Sequence, residues 1–273
     1  MSATIHATAV IDPRAELAAG VEVGPYAVIG AGVTIGAGTT VGSGAQIQGP
    51  TRIGRENRIF AHTCIGFEPQ DLKFGGEQTV LEIGDRNAIR EFTTLHRGTA
   101  KGGGRTRIGS DNLFMAYSHV AHDCTVGDRT IFSNAATLAG HVEVGDDAVI
   151  GAFSAVHQFC RVGRHAYIGG FSVITKDALP FAKTVGQKPA CFGLNRIGLE
   201  RKDFAPDVLD KLEGALRLLV RSNLNTTQAL AAIVERYEGE GEIDYLVDFV
   251  RASKRGTIKV KPGAGAGRRG SSD

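Results

Sequence analysis

Residues 144–174 read VGDDAVIGAFSAVHQFCRVGRHAYIGGFSVI, and an aliphatic residue stands at every sixth position of this stretch. The same six-residue spacing of apolar residues, most of them aliphatic, covers residues 5–65, 83–95 and 108–174. An α-helix repeats about every 3.6 residues and a half-buried strand every two, so neither explains a sustained period of six. This period predicts a parallel β-helix with three flat faces, in which one apolar side chain per face points into the interior.

Two further positions of the hexad support this interpretation. The residue two places before the aliphatic one is small or nearly so, as in Ala27, Ala45 and Ala136. Glycine directly follows the aliphatic residue in 13 of the 26 hexads. We expect the small residue to fit near each bend and the glycine to supply corner dihedral angles that a Cβ atom would strain. Three hexads form one coil, so residues 18 apart in sequence stack on neighbouring coils.

The hexads define an N-terminal region of residues 1–180. Two segments interrupt the repeat and are expected to be loops, because they lie among turn-forming residues. The loop near residues 67–80 keeps the phase and is expected to replace most of one coil, and the loop near residues 100–107 is a glycine-rich insertion. Loops that project from a rigid solenoid are where function tends to concentrate.

After the hexads the period changes to that of amphipathic helices. Apolar spacing predicts helices over residues 206–221, 225–237 and 242–252, in a C-terminal helical domain of residues 181–253. Residues 254–273 hold six Lys and Arg against one Asp and are rich in Gly and Ser, so we expect a disordered basic tail. This tail accounts for the net charge of +2, and without aromatic interleaving it does not predict nucleic-acid binding.

Composition excludes several classes of protein. The 37 glycines follow no Gly-X-Y period, which excludes collagen, and 42% hydrophobic residues exclude disorder throughout. Four cysteines without a CxxC pair indicate free thiols in a reducing compartment, and Cys124 and Cys160 fall in the small inward slot of the hexad. The sequence shows neither a signal peptide nor an 18-residue apolar stretch, so a cytoplasmic protein without a membrane span is expected.

The segment SHVAHDC at residues 118–124 is the strongest candidate for chemistry. His122 precedes Asp123, and a histidine beside a carboxylate is a plausible oriented general base. Stacking places Gly140 beside His122 and His141 beside Asp123, so a glycine amide could stabilise a developing oxyanion. A surface histidine in a repeat corner is the plain alternative. A zinc site built from His96, His119, His122 and His141 is the other, although no HxH or CxxC pair concentrates ligands.

The two loops carry further candidates. Asp71 and Lys73 lie in the first loop, where they are either a solvated turn or a substrate clamp. The second loop, AKGGGRT, lacks the Walker pattern of a phosphate cradle, so it is interpreted as a structural turn.

Eight strings together carry a family resemblance. They are QDLK at residues 70–73, IGDRNAIRE at 83–91, HRGT at 96–99, GSDNLFM at 109–115, AHDCTVG at 121–127, ATLAGHV at 136–142, AVHQFC at 155–160 and FGLN at 192–195. In this order and spacing they resemble the UDP-N-acetylglucosamine O-acyltransferase family, across residues 1–253. The resemblance implies a left-handed parallel β-helix and a homotrimer with active sites between subunits. It also implies transfer of a (3R)-3-hydroxyacyl chain from acyl carrier protein to the 3-hydroxyl of the glucosamine, the first step of lipid A biosynthesis.

The resemblance also implies roles for single residues. His122 matches the family's general base and Gly140 its oxyanion donor, with no metal, cofactor or covalent intermediate. The resemblance implies that the sugar is contacted by Asp71, Lys73, His119 and His141, and the nucleotide side by His96. It also implies that the uridine diphosphate is bound by Asn195 and Arg201, and that the acyl groove includes Gln158 and Gly170. Ile197 departs from the pattern, because some members carry Glu there.

Three alternatives stay open. The related N-acyltransferase of the same pathway shares the hexads but carries an N-terminal uridine-binding domain, whereas hexads here begin at Ile5. A γ-carbonic-anhydrase-like trimer would contain zinc, and a purely structural solenoid such as an ice-binding one would need a flat TxT face that is not visible. An acidic carrier protein needs a basic surface, for which Arg217 and Arg221 on one helical face are candidates.

Overall fold

A computed structural model describes residues 2–237, 239 and 241–259. Most strands have only two residues, because each hexad is flat for two residues and then turns a corner. The strands are β1 Thr4–Ile5, β2 Val10–Ile11, β3 Glu16–Leu17, β4 Glu22–Val23, β5 Val28–Ile29, β6 Val33–Ile35, β7 Thr40–Val41, β8 Gln46–Ile47, β9 Thr51–Ile53, β10 Arg58–Ile59, β11 Cys64–Phe67, β12 Val80–Ile83, β13 Ala88–Ile89, β14 Thr94–His96, β15 Arg105–Ile108, β16 Leu113–Phe114, β17 His119–Val120, β18 Thr125–Val126, β19 Ile131–Phe132, β20 Thr137–Leu138, β21 Glu143–Val144, β22 Val149–Ile150, β23 Ala155–Val156, β24 Arg161–Val162, β25 Tyr167–Ile168, β26 Val173–Ile174, β27 Ala182–Val185 and β28 Ala190–Leu194.

These strands form three sheets that are the three faces of a left-handed parallel β-helix. The first face takes every third strand from β1 to β25 and then β27 and β28, the second takes β2 to β26, and the third takes β3 to β24. Neighbouring strands are parallel, apart from β27 and β28, and most pair at a separation of 18 residues, as Thr4 does with Glu22. The fold class predicted from the hexads is therefore confirmed.

The aliphatic position of the hexad fills the interior. Ile65, Leu138 and Ile150 are each 0% exposed, and burial of each such side chain stabilises the fold by about 1.5–3 kcal/mol. The small slot is buried as well, and Cys124 and Cys160 are both 0% exposed there. All four cysteines are free, and burial raises the pKa of the Cys124 thiol to about 12.

The role expected for the glycines after the aliphatic residues holds at Gly66 (φ +77°) and is wrong at the other twelve. Left-handed dihedral angles fall two places later in the hexad, on Gly44 (φ +66°) and also on non-glycine residues such as Asp123 (φ +60°). Gly42, which follows an aliphatic residue, does not adopt one. A Cβ atom on Gly42 would instead lie 2.8 Å from the amide nitrogen of Ala61 on the next coil. Close approach between coils is the reason for glycine at most of these positions, and Gly30, whose nearest contact would be 3.4 Å, is an exception.

Two coils are longer than the rest because each contains an insertion. Arg52 pairs with Glu82, which lies 30 residues later, and Glu82 pairs with Arg107 after 25. The first loop therefore does not replace most of a coil: residues 68–79 are added to a complete one, between β11 and β12. The six-residue phase does not distinguish an added loop from one that replaces most of a coil, because the phase does not tell on which face a strand lies. The second loop ends at Gly104, since β15 begins at Arg105.

The sequence analysis expects a helical domain after the β-helix, but this region also contains strands. It begins with β27, which extends the first face, and β28, which pairs antiparallel with β27. The helices α1 Arg196–Glu200, α2 Pro206–Arg221, α3 Thr226–Tyr237 and α4 Gly241–Arg251 follow. Apolar side chains such as Leu212, Leu216, Ile233 and Leu246 are buried between the helices and the hairpin. The hairpin was missed because its strands do not carry the six-residue period.

The start of the expected disordered tail is ordered. Thr257 pairs with Asp177 as an isolated bridge, and Ile258 is 5% exposed against the end of the β-helix core. The side chain of Lys259 donates a hydrogen bond to Oγ1 of Thr226 at 3.0 Å. The remainder of that predicted tail, residues 260–273, lies outside the described residues. No helix in the described part of the chain is long and apolar enough to cross a membrane.

Candidate active site

Both insertions leave the β-helix along one edge, where the second face turns into the third. Residues 68–79 join β11 to β12, and residues 97–104 join β14 to β15. The next corners of this edge, residues 121–124 and 139–142, carry His122 and Gly140. We call this edge the loop-bearing edge. It stacks the two loops beside the corners that the sequence analysis singled out.

His122 and Asp123 form a hydrogen-bonded pair on the loop-bearing edge. Nδ1 of His122 lies 2.7 Å from Oδ2 of Asp123, and the two side chains are 14% and 0% exposed. An ionised carboxylate only accepts hydrogen bonds, so Nδ1 of a neutral His122 carries the proton and Nε2 keeps its lone pair. The arrangement is that of an imidazole oriented to accept a proton at Nε2.

The glycine-rich insertion holds the carboxylate of Asp123. The amide of Thr99 donates to Oδ1 at 2.8 Å, and the Thr99 hydroxyl lies 2.7 Å from Oδ2. The amide of Asp123 itself donates to Oγ1 of Thr106 at 2.8 Å. Gly102 packs so closely that a Cβ atom would overlap the Asp123 carboxyl group. The insertion is thus a structural turn over Asp123; sequence reasoning missed Thr99, although the HRGT string contains it.

Gly140 lies beside the His122 ring, as the stacking of coils predicts. A Cβ atom on Gly140 would be 2.5 Å from Cε1 and 2.8 Å from Nε2 of His122. The amide of His141 donates to the carbonyl of His122 at 3.0 Å, whereas the Gly140 N–H has no acceptor among the described residues. Glycine at this position therefore leaves room for the ring and leaves one amide donor next to it.

His96 and His119 lie on the second face next to this pair. Their ring centroids are 5.0 Å apart, and Nδ1 of His119 lies 2.7 Å from the hydroxyl of Thr94. His96 is 5% exposed, and its Nδ1 has no hydrogen-bond partner in the described part of the chain. Burial, together with the neighbouring His119 and His122, lowers the pKa of His96 to about 4. Burial also lowers the pKa of His119, so both rings are neutral at pH 7.

His141 completes the histidine cluster and connects it to the first loop. Its Nε2 lies 3.7 Å from Oδ2 of Asp123, and its ring stacks on Phe159 with centroids 4.5 Å apart. Burial lowers the pKa of His141, while the negative charges of Asp123 and Asp71 oppose that shift. Asp71 accepts a hydrogen bond from the amide of Lys73 at 3.0 Å, and the Lys73 side chain is exposed.

A buried arginine, Arg97, braces the base of the first loop. Arg97 is 8% exposed and donates to the carbonyls of Gly49 at 3.3 Å and Gly66 at 3.4 Å. It also forms an ion pair with Glu68 at 3.3 Å and lies over the ring of Phe74 at 5.4 Å. The sequence analysis did not identify Arg97, because nothing in the pattern tells a buried arginine from an exposed one.

Three side chains of the cluster lie close enough to be metal ligands. One ligand atom each from His122, Asp123 and His141 falls within 4.8 Å of the others, in a search of the described residues. His96 and His119, which the zinc alternative also used, are not in this group. Oδ2 of Asp123 already accepts from His122 and Thr99, so a metal ion would displace two donors. The hydrogen bonding fits a base better than a ligand set.

The remaining candidates do not all meet at this cluster within one chain. Gln158 lies on the loop-bearing edge and is exposed. Gly170 follows β25 and lies on the edge between the first and second faces. Asn195 donates through Nδ2 to the carbonyl of His165 at 3.1 Å, on the edge between the third and first faces. Arg201 is exposed directly after α1. One chain therefore spreads the predicted site residues over three edges.

The last three candidates lie on the C-terminal helices. Ile197 is 65% exposed on α1. Arg217 is exposed on α2, and Arg221 on the same helix donates to the carbonyl of Phe192 at 3.0 Å. The structure thus leaves Arg217 at the surface and uses Arg221 to tie α2 to β28.

Comparisons with known proteins agree with this architecture. A family model described as UDP N-acetylglucosamine O-acyltransferase, domain 2, matches residues 177–258, and a bacterial transferase hexapeptide model matches residues 2–37, 105–140 and 141–176. The acyl-[acyl-carrier-protein]–UDP-N-acetylglucosamine O-acyltransferase of Ralstonia nicotianae is 54% identical, over 93% of this chain and 98% of the relative. The enzyme of the same name from Thiobacillus denitrificans is 50% identical, over 94% and 100%.

A solved structure gives the same result in three dimensions. The UDP-N-acetylglucosamine O-acyltransferase of Moraxella catarrhalis matches with a TM-score of 0.91 at 42% identity, covering 93% of this chain and 99% of that one. Identity at this level over nearly the whole length of both chains shows the family. The chain belongs to the UDP-N-acetylglucosamine O-acyltransferase family.

Proposed function

We propose that this protein transfers a (3R)-3-hydroxyacyl chain from acyl carrier protein to the 3-hydroxyl of UDP-N-acetylglucosamine, the first step of lipid A biosynthesis. The observation that carries the proposal is the His122–Asp123 pair at 2.7 Å, with Gly140 beside the ring and its amide without an acceptor in the part of the chain that the structure describes. Acyl transfer to an alcohol needs a base for the hydroxyl and a donor for the oxyanion, and this arrangement supplies both.

The reaction proceeds without a covalent enzyme intermediate. Nε2 of His122 accepts the proton of the sugar 3-hydroxyl while that oxygen attacks the thioester carbonyl. The Gly140 N–H stabilises the oxyanion of the tetrahedral intermediate, and Asp123 stabilises the imidazolium. The C–S bond then breaks, and the imidazolium returns the proton to the sulfur. A thioester and an alcohol thus yield an ester and a thiol, with His122 restored.

The neutral histidines and the first loop bind the sugar nucleotide. His119 and His141 donate or accept hydrogen bonds with sugar hydroxyls, and His96 does so on the nucleotide side. Asp71 and Lys73 contact the sugar from the loop whose charge already acts on His141. Asn195 and Arg201 bind the uridine diphosphate, for which the planar guanidinium offers bidentate donors to phosphate oxygens.

The active site forms between subunits of a homotrimer. Support comes from the three edges over which one chain spreads its site residues, because a neighbouring subunit can bring its own Asn195, Arg201 and Gly170 to the loop-bearing edge. Further support comes from exposed aromatic side chains along the edge between the first and second faces, a feature typical of a covered surface. They are Tyr26, Phe92, Tyr117, Phe153 and Phe171, from 45% to 71% exposed.

The acyl chain lies in a groove that includes Gln158 and Gly170. A Cβ atom on Gly170 would lie 3.3 Å from the carbonyl oxygen of Ala152, a tight contact, but no side chain would lie within 4 Å of it. A groove end without a side chain at this position accommodates a long chain. The acidic carrier protein docks on the basic surface that includes Arg217.

One experiment tests the activity directly. The purified protein is incubated with UDP-N-acetylglucosamine and a panel of 3-hydroxyacyl carrier proteins, and the products are weighed by mass spectrometry. A mono-O-acylated sugar nucleotide supports the proposal, and its absence across the panel refutes it. Acylation only of a 3-amino or 2-amino sugar nucleotide would indicate an N-acyltransferase. Loss of activity after exhaustive chelation, with recovery on adding zinc, would indicate the metal alternative.

A further inference from the structure

Thr99 makes two hydrogen bonds to the same carboxylate. Its amide donates to Oδ1 of Asp123 at 2.8 Å and its hydroxyl lies 2.7 Å from Oδ2, while Thr99 itself is only 6% exposed. Oδ2 is also the atom that accepts from Nδ1 of His122 at 2.7 Å. The threonine and the histidine therefore share one carboxylate oxygen.

The direction of the Thr99 hydroxyl bond follows from its other partner. The amide of Gly102 donates to Oγ1 of Thr99 at 3.1 Å, which occupies a lone pair of the hydroxyl. The Asp123 carboxylate only accepts, so the hydroxyl proton points to Oδ2. A chain of donors runs from Gly102 through Thr99 to Asp123, and consecutive hydrogen bonds of this kind polarise one another.

The insertion also shields this carboxylate from water. Asp123 and His141 occupy equivalent left-handed corners of consecutive coils, with φ of +60° at both. The Asp123 side chain, under the insertion, is 0% exposed, and the His141 side chain is 26% exposed. Without the loop, water could donate to Oδ1 and Oδ2 and leave the carboxylate free to rotate.

We propose that Thr99 is a positioning residue for the acyl transfer: it fixes the Asp123 carboxylate so that neutral His122 keeps its proton on Nδ1 and presents Nε2 as the base. The proposal rests on the proposed function of His122 and Asp123. Thr99 touches neither substrate nor reacting atoms and acts through Asp123 alone. The hydrogen bond from the Thr99 amide fixes the position of the carboxylate, and the hydrogen bond from the Thr99 hydroxyl fixes the rotation of the carboxylate.

The test compares two substitutions of Thr99 with a matched control. Thr99→Val keeps the shape of the side chain and the backbone amide but loses the hydroxyl, whereas Thr99→Ser keeps the amide and the hydroxyl. Thr130→Val is the control, because Thr130 is 0% exposed and donates at 2.6 Å to Asn112, away from the loop-bearing edge. The kcat and KM for UDP-N-acetylglucosamine and the melting temperature are measured for each variant.

The proposal predicts that Thr99→Val lowers kcat roughly 10- to 100-fold, the usual effect of a lost hydrogen bond to a charged group, with KM within about threefold. Thr99→Ser stays within about threefold of wild type, and Thr130→Val lowers only the melting temperature. In an Asp123→Ala background, Thr99→Val has no further effect on kcat, because its partner is already gone. Multiplicative effects in the double variant, or equal losses in Thr99→Ser and Thr99→Val, overturn the proposal.

A spectroscopic readout separates this proposal from the proposed function. In protein labelled with ¹⁵N-histidine, the spectrum of neutral His122, assigned by its loss in His122→Gln, reports which nitrogen carries the proton. Wild type and Thr130→Val show the Nδ1–H form, and Thr99→Val shows a mixture with Nε2–H. An unchanged spectrum in Thr99→Val overturns the positioning role even where the wild-type protein is active. A wild type without acyltransferase activity refutes the function but leaves this test intact.

Discussion

The substitution Gly140→Ala tests the geometry of the site with a single methyl group. The added Cβ would lie 2.5 Å from Cε1 of His122, whereas carbon atoms in contact are separated by about 3.5–4.0 Å. The ring must therefore move by about 1 Å. A displacement of this size at a catalytic group costs on the order of 100-fold in rate, or about 2.7 kcal/mol of barrier. We expect kcat to fall by that factor.

The assay follows initial rates of O-acylation at saturating acyl carrier protein, with kcat and KM for the sugar nucleotide determined separately. Gly30→Ala is the matched control, because a Cβ there would meet neighbours at 3.4 Å or more, away from His122. It should keep kcat within about threefold. If Gly140→Ala also keeps wild-type kcat while a crystal structure shows the His122 ring displaced, the role of His122 as the base is refuted.

Three further predictions concern other parts of the site. Burial lowers the pKa of His96 from 6.5 to about 4, so between these pH values the unfolded chain binds a proton that the folded protein does not. The free energy of unfolding therefore has its full value above pH 6.5 and falls as the pH drops towards 4, by up to roughly 3 kcal/mol. Urea unfolding of His96→Asn should show a flatter profile there, and an equal slope would contradict the prediction. Arg97→Met leaves the carbonyls at the base of the first loop without their donor. We therefore expect KM for UDP-N-acetylglucosamine to rise about tenfold and limited proteolysis near Leu72 to accelerate. Unchanged proteolysis argues against Arg97 as the residue that holds the base of this loop. Gly170→Met places a bulky side chain at the end of the proposed acyl groove and should shorten the preferred acyl chain in the carrier-protein panel, and an unaltered preference speaks against the groove.

The sequence predicts the β-helix well because one short-range rule determines it. Every aliphatic residue that returns after six positions must face the same narrow interior, and Ile65 and Leu138 are fully buried for this reason. The same rule does not tell which face a strand joins. Ile65 and Ile83 keep the phase although they lie on different faces, so the phase alone does not distinguish an added loop from a loop that replaces most of one coil. The hairpin of β27 and β28 follows no hexad and escaped the pattern.

The candidate site was predicted in part, for a physical reason. His122 and Gly140 are 18 residues apart, and stacking of regular coils brings such residues together. Thr99 reaches Asp123 across an irregular insertion, so no period in the sequence connects them. Arg97 looks like any loop arginine until its burial is known.

The most direct test of the account is the turnover of His122→Ala with UDP-N-acetylglucosamine and a 3-hydroxyacyl carrier protein. Product is quantified by mass, and folding is checked by melting temperature. General base catalysis contributes roughly 10²- to 10⁴-fold, so the account predicts a loss of at least 100-fold in kcat with the fold retained. A folded His122→Ala protein that turns over at a rate near that of wild type would contradict it.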